Sequence, residues 1–139
     1  MEHLEQQMRA TAGGVRFVYT AASVALATLE VLVNGVHPQQ IDNYIRIPVD
    51  FPKSVLTTLD LESLSADWKS DPAADSTRTR GRRWAKAALS VVLCVPSVVV
   101  DDELSFLINP LHADFGRIHI GRPLPYAFDA RPLHNLKTA

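Results

Sequence analysis

The chain has 139 residues, 47% of them hydrophobic, which is enough for one domain with a single core and little surplus. With 14 Lys and Arg against 15 Asp and Glu the net charge is −1, so no basic excess marks the chain for nucleic acid. No stretch approaches the ~18 apolar residues of a membrane-spanning helix, the polar start MEHLEQQMRA has no signal-peptide core, and the single cysteine excludes a disulfide framework or a cysteine zinc site, so a cytoplasmic protein is expected.

Residues 1–14 are polar and end in Gly13-Gly14; they and residues 130–139 are expected to be flexible. Residues 15–19, with aromatic and β-branched side chains, predict a short strand. A helix follows almost at once: Ala22, Ala25, Leu26, Leu29, Leu32 and Val33 repeat at helical spacing, Thr20 or Ser23 suits its cap, and Gly35 suits a left-handed terminus. Val24, Ala27 and Val31 on the other side predict that this helix is buried nearly all round. Residues 44–49 alternate and predict a strand that Pro48 pushes to an edge or an end; residues 55–61 predict a weaker strand or turn. Residues 63–76 read as a polar loop around Trp68, and 77–89 as a helix whose Arg78, Arg80, Arg82 and Arg83 form a solvated face. Residues 90–100 predict a buried strand interrupted at Pro96-Ser97, with Cys94 as a small buried hydrophobe. Short strands are expected at 106–108, before the turn Asn109-Pro110, at 117–120 and at 126–128.

Glu30 is the only charged side chain between Arg16 and Asp42, and it sits on an otherwise apolar helix. Burying a lone carboxylate costs several kcal/mol, so it needs either an ion-pair partner or a purpose, such as holding a substrate hydroxyl or offsetting a developing cation. Ser97 places one hydroxyl at a proline break in an apolar run; it reads either as a turn serine bonded to its own backbone or as a site residue. No Gly-x-Ser-x-Gly elbow supports a nucleophile, and no Gly-x-Gly-x-x-Gly or phosphate loop is present. Arg9 and Arg16 flank Gly13-Gly14, where guanidinium groups could reach a diphosphate, while His112, Asp114 and His119 lack a recognised metal-ligand spacing.

These segments together resemble the RES domain, a bacterial family named for its arginine, glutamate and serine. The likeness is carried by Phe17 to Ser23 followed by Ala25 to Val33, by Trp68 with Asp71-Pro72 and Ser76-Thr77-Arg78, by Leu93 to Val99 with Pro96-Ser97, and by Leu107-Ile108-Asn109-Pro110 with Asp114-Phe115. The resemblance covers nearly the whole chain as a single domain, which is expected to start after the family's usual first strand. It implies an α+β fold of small mixed sheets with flanking helices around a cleft, similar to ADP-ribosyltransferase toxins. It implies a toxin that takes NAD⁺ as substrate, needs no cofactor or metal, cleaves the nicotinamide–ribose bond, transfers ADP-ribose to phosphate or water, and is neutralised by a helix-turn-helix antitoxin. Glu30, Arg9 and Ser97 carry over as the catalytic set, with Tyr19, Asn109 and Arg16 as substrate-binding residues. Two alternatives stay open: transfer of ADP-ribose to a host protein, and an inactive remnant that only binds antitoxin.

Overall fold

A computed structural model describes residues 8–10, 16–35, 40, 44–60, 66, 83–84, 87–127 and 129, with 8–10 and 16 described through their backbone. Its centre is a five-stranded sheet built from β1 (Met8–Ala10), β2 (Arg16–Ala21), β5 (Leu56–Thr58), β6 (Val92–Pro96) and β7 (Leu104–Ile108), in the order β1-β2-β7-β6-β5. All neighbours are antiparallel except β5 and β6, which run parallel. Two small pairs complete the set: β3 (Ile45–Arg46) with β9 (Leu124–Pro125), and β4 (Val49–Asp50) with β8 (His119–Ile120). With the helix α1 (Val24–Val33) this is the expected α+β arrangement of small mixed sheets.

Side chains alternate across a strand, so β2, β6 and β7 each serve two cores. Phe17 joins Trp84 and Leu93, with Leu59, Val95 and Leu107 against them; its neighbour Val18 joins Val55, Val91, Val92, Ile108 and Ile118. Burial on both faces explains why β6 and the residue before it read as a continuous apolar run: Val91 and Val92 are fully enclosed, each a gain of roughly 1.5–3 kcal/mol over exposure. Cys94, as expected, is buried here. Trp84, one of the few described residues of the expected 77–89 helix, lies against Phe17 with ring centroids 5.4 Å apart. Its Nε1–H donates to Ser90 Oγ at 3.0 Å, and Ser90 donates on to Val92 O at 2.9 Å, so the indole's polar edge is satisfied inside the core. Arg83 is exposed, while Arg78, Arg80, Arg82 and the loop around Trp68 lie outside the described residues.

The helix begins and ends as its sequence dictates. Ser23 is extended and its hydroxyl accepts from Leu26 N–H at 3.1 Å; beyond Asn34, Gly35 takes φ +91° and its N–H donates to Leu32 O at 3.1 Å. The expectation of burial nearly all round is corrected. Leu26 and Thr28 are buried, but Val24, Leu29 and Val33 are 44%, 43% and 66% exposed. The sheet covers only one side of a helix, and the β9 end of the chain covers a second stripe through Tyr126, whose hydroxyl is paired with that of Thr28.

Other boundaries shift for local reasons. Met8–Ala10 forms a strand that its polar surroundings do not predict, pairing with β2 from Met8 opposite Val18 to Ala10 opposite Arg16. The expected strand at 44–49 is divided by Ile47-Pro48 into β3 and β4, because a proline has no N–H to give a ladder. The expected strand at 117–120 yields its first residue to a 3₁₀ turn, Ala113–Arg117, and keeps only β8. The last strand among the described residues is Leu124–Pro125 rather than 126–128, with Phe128 outside them.

Candidate active site

The short link between β2 and α1 folds the helix back over the strand it has just left, and this brings Tyr19 and Glu30 together. Tyr19 Oη donates to Glu30 Oε1 at 3.5 Å. The same oxygen receives a second hydroxyl, that of Ser97, at 3.4 Å. These distances are long for O–H donors; the two hydroxyls reach one oxygen from β2 and from the turn after β6, strands that are not neighbours in the sheet. A carboxylate is an acceptor with about four lone-pair directions. Tyr19 and Glu30 are partly buried, and Ser97 is enclosed at 2% exposure.

The position of Ser97 is fixed by its own loop. Its N–H donates to Glu103 O at 2.8 Å, closing the turn between β6 and β7, and Asp102 absorbs the reversal with φ 64°. Its Oγ accepts from Val99 N–H at 3.1 Å and Val100 N–H at 3.2 Å. The turn-serine reading and the contact with the acid both hold in this structure.

The remaining candidates are placed differently. Arg9 is opposite Phe17 in the β1–β2 ladder and Arg16 opposite Ala10, so both stand on strands beside Tyr19; their side chains lie outside the described residues. Asn109 follows the far end of β7. It is six steps along the chain from Glu103, the partner of Ser97, which at ~3.3 Å per residue is about 20 Å of strand. There its Oδ1 accepts from Leu111 N–H at 3.0 Å and its own N–H donates to Val91 O at 2.9 Å. His112 is engaged through both ring nitrogens: Nδ1 accepts from Asp114 N–H at 2.9 Å and Nε2 meets Ala88 O at 2.7 Å. Among the described residues no cluster of His, Cys, Asp or Glu could hold a metal, and no helix is long and apolar enough to cross a membrane.

An apolar groove of about 610 Å³ is lined by Val24, Ala25, Thr28, Leu29, Leu32, Arg46 and the 125–127 segment. Thr28 and Leu32 stand two residues on either side of Glu30, about 200° round the helix, so this groove belongs to the side of α1 turned away from the acid. Sequence reasoning passes over one polar group on the strand between those of Tyr19 and Ser97. Ser105, in the middle of the apolar strand Leu104–Ile108, is fully buried, and its hydroxyl has no partner among the described residues. The signal was available, since it is a lone hydroxyl in a greasy run, as Ser97 is.

Chemically the arrangement offers a carboxylate, enclosed on one side by a sheet and oriented by two hydroxyls, suited to binding vicinal hydroxyls or facing a cation that forms during reaction. The described site contains neither a nucleophile–base pair nor a metal set. Several known proteins are similar to this chain over most of its length. A protein of Photorhabdus laumondii named "Toxin Res" is 32% identical over 115 residues, spanning 82% of this chain and 74% of its own. A Yersinia enterocolitica protein of the same name is 33% identical over 115 residues, 82% of this chain and 76% of its own. A Sphingobium protein named "Prs ADP-ribosylating toxin" is 33% identical over 124 residues, 85% and 75% of the two chains. The model of the RES domain matches residues 2–129, and the chain belongs to that family.

Proposed function

We propose that this chain is a toxin that cleaves the nicotinamide–ribose bond of NAD⁺ and passes ADP-ribose to phosphate or water. The observation that carries the reading is the convergence of Tyr19 and Ser97 on one oxygen of Glu30. As the C–N bond breaks, its electron pair leaves with the nicotinamide nitrogen and the ribose becomes an oxocarbenium ion. A fixed negative charge beside that ring lowers the barrier, because it is worth more against the cation than against the neutral sugar of the ground state. Glu30 takes the ribose hydroxyls and faces the cation, Ser97 hydrogen-bonds the nicotinamide end, and Tyr19 borders the ribose. Arg9 and Arg16 bind the diphosphate, and Asn109 contributes from the far end of its strand. Water attack gives ADP-ribose, nicotinamide and a proton, whereas phosphate attack gives a phosphorylated ADP-ribose.

The name of the Sphingobium relative favours a second reading, in which the acceptor is a side chain of a host protein. Both readings place the protein in the cytoplasm, restrained by an antitoxin with a helix-turn-helix domain. Incubation with NAD⁺ labelled in the adenylate half, with and without phosphate and with cell lysate, separates them. Soluble labelled ADP-ribose or its phosphate supports the first, and a labelled protein band supports the second. Intact NAD⁺ under all three conditions refutes both.

A further inference from the structure

The sheet register shows what lies beneath the acid. Ser105 on β7 is paired with Ala21 on one side and Val95 on the other. Residues paired across strands share a face, and so do residues two apart on one strand, so Ser105 lies on the face that carries Tyr19 and Ser97. Tyr19 is two residues before Ala21 and Ser97 two residues after Val95, and β2 and β6 run in the same direction beside β7. The line from Tyr19 to Ser97 therefore crosses β7 at Ser105. Glu30 receives both of their hydroxyls on one oxygen, so the acid is held between the two ends of that line, on the face that carries Ser105.

Ser105 is 0% exposed, and its Oγ has no hydrogen-bond partner among the described residues. A hydroxyl in such a place opposes folding unless it gains a partner in some state of the protein. Alanine would fill the same floor without that cost. We infer that Ser105 is a positioning residue of this site, its hydroxyl donating to the Glu30 carboxylate from below and holding the acid while Oε1 engages the ligand.

The step needed is small. A serine hydroxyl has three staggered positions about its Cα–Cβ bond and one freely turning proton. The rotamer that reaches the carboxylate is populated in the free protein and taken over when substrate hydroxyls compete with Ser97 and Tyr19 for Oε1. The inference rests on the reading of Glu30 as the acid that faces the ribose.

The test uses the full chain with Ser105→Ala, and with Ser105→Thr and Ser105→Val, which share a shape and differ by the hydroxyl. NAD⁺ turnover and thermal melting are measured on each. The expected result is that Ser105→Ala melts at or above the parent temperature while kcat falls about tenfold with KM little changed, the loss of one hydrogen bond to a charged group. Ser105→Thr is expected to turn over at least about fivefold faster than Ser105→Val. A Ser105→Ala rate within about twofold of the parent, or equal rates for Thr and Val, overturns the inference. If the parent protein leaves NAD⁺ intact, the proposed function has failed, and Ser105 is then judged by a melting cycle with Glu30→Gln. Shifts that depart from additivity by several degrees support the coupling, and shifts that add within about a degree overturn it.

Discussion

Replacing Glu30 by glutamine separates the charge of the acid from its shape. The amide keeps one acceptor oxygen, so Tyr19 and Ser97 can still donate to it across the distances of 3.5 and 3.4 Å seen for the carboxylate. Those bonds are long and therefore weak, and weakening these two should cost folding no more than about 1 kcal/mol, or roughly 4 °C in melting temperature. The effect on reaction is much larger. A carboxylate ~4.5 Å from a forming cation, at an effective dielectric of ~20, contributes about 4 kcal/mol, close to a thousandfold in rate. Glu30 is only partly buried, so solvent screening reduces this, and a loss of at least about a hundredfold is expected. The assay is the decay of NAD⁺ and the appearance of nicotinamide by chromatography, with a melting curve on the same sample. A folded Glu30→Gln protein that consumes NAD⁺ within tenfold of the parent rate would show that the negative charge does not face the reacting ribose.

Gly121→Ala should destabilise the fold by about 1–3 kcal/mol in thermal denaturation, because a Cβ there would lie 2.6 Å from Pro48 Cγ, and the Gly121 N–H donates to Pro48 O at 2.8 Å, so the two segments cannot separate freely. Ser23→Ala removes the cap of α1 and should cost ~1 kcal/mol, measured by chemical denaturation; an unchanged midpoint would mean that the cap is idle. Burial pushes the Cys94 thiol above its ordinary value, which keeps it protonated, so an aromatic disulfide reagent at pH 8 should leave the native protein untouched and react fully once guanidinium unfolds it.

The parts of the molecule legible in sequence are those specified within a few residues. The Ser23 cap, the left-handed Gly35 and the apolar repeat between them mark α1 almost to its ends. The valine run marks β6, and the lack of any other charged residue between Arg16 and Asp42 in the sequence marks the acid. What sequence leaves open is set by partners distant in the chain. The exposure of Leu29 and Val33 depends on which sides the sheet and Tyr126 happen to cover, and periodicity cannot report that for a helix apolar on all faces. The strand Met8–Ala10 exists through its pairing with β2, a matter of register rather than of propensity. Ser105 is visible in sequence as a lone hydroxyl in an apolar run, but its place on the sheet face of Tyr19 and Ser97 appears only when three strands are aligned.

Ser97 shows why the bland and the functional explanation of a residue need not compete. Its hydroxyl has two lone pairs and one proton, and the backbone N–H groups of Val99 and Val100 approach the oxygen from within the loop. With the lone pairs so engaged, the proton must point out of the loop, and the outward direction is that of Glu30. The turn therefore orients a donor before any ligand arrives. Such preorganisation gives a hydrogen bond its catalytic worth, since no reorganisation is then required as charge develops. On the proposed function, a ribose hydroxyl that took the place of Ser97 on Oε1 would leave that proton to an acceptor on the ligand, and the local backbone bonds would thereby help to determine where the ligand's polar end lies.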